Sequence, residues 1–460
     1  MTILVKNGRV IDPTNDVDDV LDVVVEGDRV AQVGRDLGED GAEVVDAGGM
    51  VVGPGFVDLH THLREPGQEH KETIESGCEA AARGGFTTVC AMPNTAPVID
   101  NRGQIESVLD RARGTAVRVL PIGAITRGSA GSELADLAEM AGAGAVAFSD
   151  DGRPVADAAL MRRALEYSLG LARPIIDHCE DQQLSRGGVM NEGWVSTRLG
   201  LAGIPAQAEE AAVARNIQLV ELTGARLHLA HVSTRGSVEL MRRAKEKGLP
   251  VTAEVTPHHL TLTEELVLGD ASPSPGQPLP LAPSPSHGEG GSRAYDTFAK
   301  VNPPLRTQAD VDACVEALAD GTIDCIATDH APHAREDKLC EFDTAAFGIS
   351  GLETAFGLVY SLVEDGRLAL PQLIERLTTG PARALGLERV VPGIGSLTEG
   401  SPADIAIFDL NESWLVEPET FASKGKNTPL GGWTLKGRIK ATIAGGSIAW
   451  SELREVAAVG

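Results

Sequence analysis

The sequence is short of positive charge. It carries 40 Lys and Arg against 66 Asp and Glu, a formal net charge of −26 over 460 residues. Nucleic-acid backbones are held by clustered Lys and Arg, so this balance argues against such a partner. It does not exclude a small anionic substrate, because one local arginine can hold a carboxylate against the global field. Long apolar runs are also missing. No stretch approaches the roughly 20 apolar residues that cross a bilayer, which argues against a membrane partner. The opening MTILVKNGRV lacks the apolar core and cleavage pattern of a secretory leader. The six cysteines, Cys78, Cys90, Cys179, Cys314, Cys325 and Cys340, form no CxxC pair. Most have apolar neighbours and read as buried, reduced thiols of a cytoplasmic protein.

What is present is a repeated alternation. Apolar segments at 51–62, 86–92, 117–125, 145–149, 174–178, 226–232, 251–255 and 323–328 are the strand candidates. Ala- and Glu-rich stretches of helical spacing lie between them, among them 133–141, 157–169, 209–222, 237–247 and 309–318. Eight such strand–helix units predict an α/β fold, a (β/α)8 TIM-like barrel spanning 54–391. The strands are apolar throughout rather than alternating, as in a parallel sheet covered on both faces.

The ends differ. Residues 1–53 hold ILVKNGRVID, DVVVEGDRVAQVG and AEVVDAGG, short runs separated by Gly, Asp and Asn that read as β-hairpins. Residues 392–460 repeat the style with GSPADIAIFDL and GRIKATIAGGSIAW. The two ends are expected to pair into one small discontinuous β domain. The segment 271–292, ASPSPGQPLPLAPSPSHGEGGS, cannot bury a core and is expected to be a flexible surface insertion, with His287 a solvated loop residue.

In a β/α barrel the reactive groups sit at the C-terminal strand ends. His60 and His62 end the first strand, and their i, i+2 spacing puts both on one face. The fourth strand ends in Asp150 and Asp151, the fifth in His178, the sixth in His231, and the eighth in Asp329 and His330, with His333 close behind. Alone, an HxH on a strand is more often a satisfied histidine pair than a metal site. An aspartate after a strand is usually a cap or turn residue. Several strands placing ligand types at one end outweigh those readings. Neutral imidazoles with carboxylates suit zinc or a similar divalent ion, and six candidate groups exceed the needs of one tetrahedral site. A two-metal centre with one bridging carboxylate is the natural expectation. His228 has the opposite strand parity to His231 and is expected to point away from the barrel interior as a structural residue. His70, His258 and His259 lack positional support, and His330 reads as a neighbour of the ligands rather than one of them.

GFVDLHTHLREPG (55–67), GGFTTVCAMPNT (84–95), FSDDG (148–152), HCED (178–181), HVST (231–234), TAEVTPHHL (252–260), VNPPLR (301–306), IATDHAPH (326–333) and FGISGLET (347–354) together resemble the dihydroorotase family of the amidohydrolase superfamily. The likeness is to the bacterial type I members and runs from about residue 3 to about 450, the insertion excepted. HLREPG, MPNT and NPPLR are its specific marks. The resemblance implies two zinc ions per subunit. His60, His62 and Asp329 would hold the first, His178 and His231 the second, and Asp151 would bridge them. Many superfamily members bridge with a carbamylated lysine on the fourth strand. No lysine lies between Lys71 and Lys245, so that bridge is impossible here. Asp150 is the weaker bridge candidate, with a turn role as its alternative.

The resemblance further implies a reversible cyclisation of N-carbamoyl-L-aspartate to dihydroorotate, with Asp329 as the acid/base. Arg64 offers a planar fork for a carboxylate. By resemblance the substrate pocket comprises His62, Arg64, Asn94, Asn302 and His333, with backbone groups at Phe347 and Gly348. Without the likeness, Asn302 would read as a turn residue before Pro303 and Pro304. Two rivals stand beside this reading. One is another cyclic-amide hydrolase such as an allantoinase, which HLREPG, MPNT and NPPLR disfavour. The other is a non-catalytic relative that scaffolds aspartate transcarbamoylase, which the filled ligand positions disfavour. A homodimer and association with the transcarbamoylase in addition to catalysis both stay open.

Overall fold

Strand-forming residues open the chain. β1 (Thr2–Asp12), β2 (Val17–Glu26) and β3 (Arg29–Gly34) form an antiparallel meander in the computed structural model, which describes residues 2–39, 41–269 and 294–453. Gly27, at φ 60°, starts the two-residue turn that pairs Glu26 with Arg29. β4 (Glu43–Asp46) and β5 (Val51–Pro54) then run parallel to β1. The 271–292 insertion, His287 included, lies outside the described residues.

The middle of the chain supplies β6 (Phe56–Thr61), β7 (Phe86–Ala91), β8 (Arg118–Pro121), β9 (Phe148–Ser149) and β10 (Ile175–Asp177). A small two-stranded ribbon follows, β11 (Met190–Asn191) with β12 (Gly203–Ile204). β13 (Leu227–Leu229), β14 (Val251–Val255) and β15 (Cys325–Ile326) complete this part, and β16 (Ile405–Leu415), β17 (Thr434–Ala444) and β18 (Ser447–Ser451) end the described chain.

The first and last segments share one sheet, ordered β18-β17-β16-β5-β1-β2-β3 with β4 on β1. The seam is β5 against β16, where Val52 pairs with Ile407. Ile3, Val5, Val10, Val23, Val25, Ile405 and Ile443 bury its core. The expected strand at 51–62 is therefore two strands. Gly55 separates them, and a Cβ there would lie 2.2 Å from Thr87 Oγ1. The close approach of β7 demands glycine, and the chain crosses from the terminal sheet into the parallel one at that point.

The remaining strands are parallel. β6-β7-β8 form one sheet, and β9, β10, β13, β14 and β15 another. Parallel bridges link the two at both edges, Gly123 with Phe148 and Thr61 with His330. Helices Ile74–Arg83, Arg102–Arg111, Leu137–Ala143, Ala158–Leu171, Ala206–Thr223, Arg235–Glu246 and Gln308–Asp320 connect the strands. Side-chain caps start several of them: Thr73, Asn101, Asp157, Thr234 and Thr307 each accept from the first turn. Successive strand residues serve two cores. Ile175, Leu227, Leu229, Val251 and Ala253 pack with the helices, while Val57, Leu59, Ile122, Ile176, Ala230 and Ala327 pack with one another. Phe56 locks the pieces together. Its ring lies 5.7 Å from Phe86 and from Phe356, and 6.0 Å from Phe408 of the terminal sheet.

Candidate metal centre

Most of the parallel strands are shorter than their apolar runs, β14 (Val251–Val255) excepted. The run at 226–232 yields only Leu227–Leu229, and the run at 145–149 only Phe148–Ser149. Beyond the strand ends the backbone turns sharply. Arg64, His231 and Asp329 hold left-handed φ values of 60°, 32° and 47°. Such values are rare for residues with a Cβ, and they cluster where side chains must be aimed.

The aim converges on Asp151. Its Oδ1 lies 3.4 Å from His60 Nε2, 3.5 Å from His178 Nδ1 and 3.7 Å from His231 Nε2, and its Oδ2 lies 3.6 Å from His62 Nε2. Asp329 Oδ1 is 3.0 Å from His62 Nε2 and 3.4 Å from His60 Nε2. His178 Nδ1 and His231 Nε2 are 2.8 Å apart. All six residues are buried. Two trios result, His60–His62–Asp151 and Asp151–His178–His231, each with ligand atoms within 4.8 Å and with Asp151 common to both.

This set fits divalent metal. His60 Nε2 and Asp151 Oδ1 are buried and without a hydrogen-bond partner. Nature seldom leaves a buried donor or acceptor unsatisfied without a reason. Burial alone would raise the Asp151 carboxyl, but His60, His178 and His231 hold it well below the ordinary range. Without an ion the rings supply that positive charge as protons: against its burial, Asp151 and Glu180 raise His178 to about 10. A carboxylate held ionised among four imidazoles is a site a divalent cation can fill in their place.

Neighbours fix the rings. His62 Nδ1 donates to Asn94 Oδ1 at 2.9 Å, which leaves its Nε2 bare toward the centre. Asn94 Nδ2 donates to Asp151 Oδ2 at 3.2 Å. Asn302 Nδ2 lies 3.3 Å from His178 Nε2 and 3.4 Å from Glu180 Oε2. Both asparagines thus touch candidate ligands directly. Asp150 does not enter the centre. Its Oδ1 accepts from Ile125 N and Thr126 N at 2.8 and 3.0 Å, and its Oδ2 from the Thr126 hydroxyl, so it anchors a turn.

Arg64 and His333 stand together on one side. Arg64 Nε donates to Pro332 O at 3.2 Å, and Nη2 lies 3.3 Å from His333 Nε2. Burial lowers Arg64 to about 10, with Asp329 and Asp151 opposing, so it stays cationic at neutral pH. Burial, then Arg64 and Lys71, push His333 down to about 3. It is neutral, and its Nε2–H donates to Phe347 O at 2.8 Å. Gly348 is already engaged: its N–H donates to Lys300 O at 2.9 Å, and its carbonyl accepts from Lys338 Nζ and Asn427 Nδ2, both at 3.0 Å.

One sequence expectation changes here, and one residue was missed. His228 does not point away. Its Nε2 is 3.1 Å from Glu254 Oε2, and Glu254 Oε1 in turn bonds His60 Nδ1 at 2.6 Å. Parity failed because β13 ends at Leu229, and His231 lies beyond it in left-handed backbone. Glu254 itself was missed. Its signal was a lone carboxylate in the middle of an apolar strand, TAEV. Five of the six cysteines are buried, as expected of most of them, and Cys340 is exposed. As expected, His330 is not among the converging groups. It faces Glu72 at 3.3 Å, while its carbonyl accepts from His62 N at 2.8 Å.

Fold and site together define an amidohydrolase. The dihydro-orotase-like family model matches residues 49–237, and the amidohydrolase family model residues 295–449. A dihydroorotase of Pelotomaculum thermopropionicum is 52% identical over 453 residues, covering 98% of this chain and 99% of that protein. One from Anaeromyxobacter sp. strain K is 52% identical over 452 residues, covering 98% of each. This chain belongs to the dihydroorotase family. Among solved structures, the L-hydantoinase (dihydropyrimidinase) of Arthrobacter aurescens superposes with a TM-score of 0.83 at 26% identity, covering 99% of this chain and 97% of that one.

Proposed function

We propose that the chain is a dihydroorotase, interconverting N-carbamoyl-L-aspartate with (S)-dihydroorotate and water in de novo pyrimidine (UMP) synthesis. The observation that carries this reading is full-length identity of 52% to a dihydroorotase. Asp151, within 3.7 Å of a nitrogen of all four histidines, supports its placement as the carboxylate shared by two ions. His60, His62 and Asp329 would hold one zinc, and His178 and His231 the other. When bound, such a pair supplies Lewis acidity and lowers the pKa of water.

The chain's own residues do the rest. Arg64 receives the substrate carboxylate on its guanidinium fork. His333, neutral and oriented by Phe347 O, offers a polar contact without competing for that anion. Asn94 and Asn302 hold His62 and His178 in place and border the substrate. In hydrolysis Asp329 takes the proton of the attacking water and delivers it to the leaving ring nitrogen. In synthesis it removes a proton from the carbamoyl nitrogen, which attacks the side-chain carboxylate, and water departs.

The bridges at Gly123 and Thr61 support reading the eight parallel strands as one closed (β/α)8 barrel over 54–391. The terminal sheet then forms a small discontinuous domain from 1–53 and 392–460. The free cysteines fit a cytoplasmic setting. The test is an absorbance assay of dihydroorotate with metal analysis of the same sample. Metal-dependent loss of dihydroorotate, with two zinc ions per subunit, is expected. No turnover in a fully loaded sample, or turnover of allantoin instead, overturns the reading.

A further inference from the structure

We propose that Glu254 is a positioning residue that fixes the tautomer and aim of His60 and braces the turn carrying His231. This role rests on the reading of His60 and His231 as metal ligands. Glu254 stands in β14, wholly buried, one layer beneath the converging side chains. A buried carboxylate is costly unless its oxygens are well paired, so packing alone would favour an apolar residue here.

Both oxygens are paired, and their partners are informative. Oε1 accepts from His60 Nδ1 at 2.6 Å, and the backbone N–H of His231 lies 3.4 Å from the same oxygen. Oε2 accepts from His228 Nε2 at 3.1 Å. The far nitrogen of His228 lies 2.9 Å from Thr252 Oγ1, which closes the chain of contacts on β14 itself. A carboxylate can only accept, so His60 must carry its hydrogen on Nδ1. In the neutral ring that a metal ligand must be, this leaves the lone pair on Nε2, the unpartnered atom facing Asp151 and Asp329, each at 3.4 Å. One side chain therefore touches a histidine of each trio, through the ring of His60 and the backbone of His231. His228, which belongs to neither trio, holds the carboxylate from behind.

The test uses the full chain and zinc or cobalt as probes. Glu254→Gln and Glu254→Asp are compared with wild type for circular dichroism, zinc affinity by chelator competition, and the visible spectrum of the cobalt-loaded protein. Gln keeps the volume but presents an N–H₂ to one of the two histidines. Asp keeps the charge but retracts it from His60. Folded variants with zinc affinity lowered about 10- to 100-fold, and an altered cobalt spectrum, are expected. A folded Gln or Asp variant with wild-type affinity and spectrum overturns the role of Glu254 alone. Wild type that takes up neither metal overturns the metal reading and this role with it.

Discussion

Asp329 combines two duties that a single substitution separates. Asn in its place keeps the shape and an oxygen toward His62, but it cannot accept the reaction's proton. Turnover of Asp329→Asn is expected to fall about 10²- to 10⁴-fold while circular dichroism stays that of the wild type. Near-normal activity would remove Asp329 from the acid/base role. At this scale the sequence was informative where a reactive type followed an apolar run. His60, His62, Asp151, His178, His231 and Asp329 all do, and the structure brings them together. It was silent about Glu254 and wrong about the direction of His228. Both depend on where a strand stops and how the backbone bends afterwards, and neither follows from residue type. The engagement of Gly348 was equally hidden, because its partners Lys300, Lys338 and Asn427 come from separate stretches.

Among the elements, the single helical turn Leu352–Thr354 carries the most telling charge. Glu353 accepts from Ser423 N at 3.2 Å and Ala422 N at 3.1 Å, tying this turn to the segment before β17. Burial pushes its carboxyl up to about 7, against the pull of those two N–H groups. The folded chain thus holds a proton that the unfolded chain releases at an ordinary carboxylate pKa. Its stabilising share is complete below about 4.5 and is lost as pH rises through about 7. Melting from pH 5 to 8 should show wild type losing roughly 2–3 kcal/mol relative to Glu353→Gln. Parallel curves would discard this assignment. The alternation of strands and helices was legible because apolar runs and helical spacing are local properties. The division of 51–62 into β5 and β6 was not, since it depends on Thr87 pressing against Gly55 from another strand.

For the whole molecule, the buried centre couples ligand binding to folding. The unfolded chain cannot keep six groups from five strand ends together, so metal binds the folded state and stabilises it. At a free-metal concentration about 100 times Kd this amounts to about 2.7 kcal/mol. Stripping the protein with a chelator is expected to lower Tm, and returning zinc to restore it. An unchanged Tm in a sample shown to have lost its metal would contradict that coupling. The joining of the two chain ends in one sheet was inferred from their shared style. The actual partners were not legible, because β5 meets β16 only through contacts between residues such as Val52 and Ile407.

That seam has a consequence for how the protein is made. A ribosome delivers β5 before the parallel strands and β16 after them. At roughly 5–20 residues per second, the nascent β5 waits on the order of tens of seconds for its partner. Throughout that wait its edge offers bare N–H and C=O groups to any passing strand. The opening sheet is therefore an unfinished template during synthesis. Chains that stall or are cut before Ile405 should be the ones that aggregate or engage chaperones, even with every candidate metal ligand already translated.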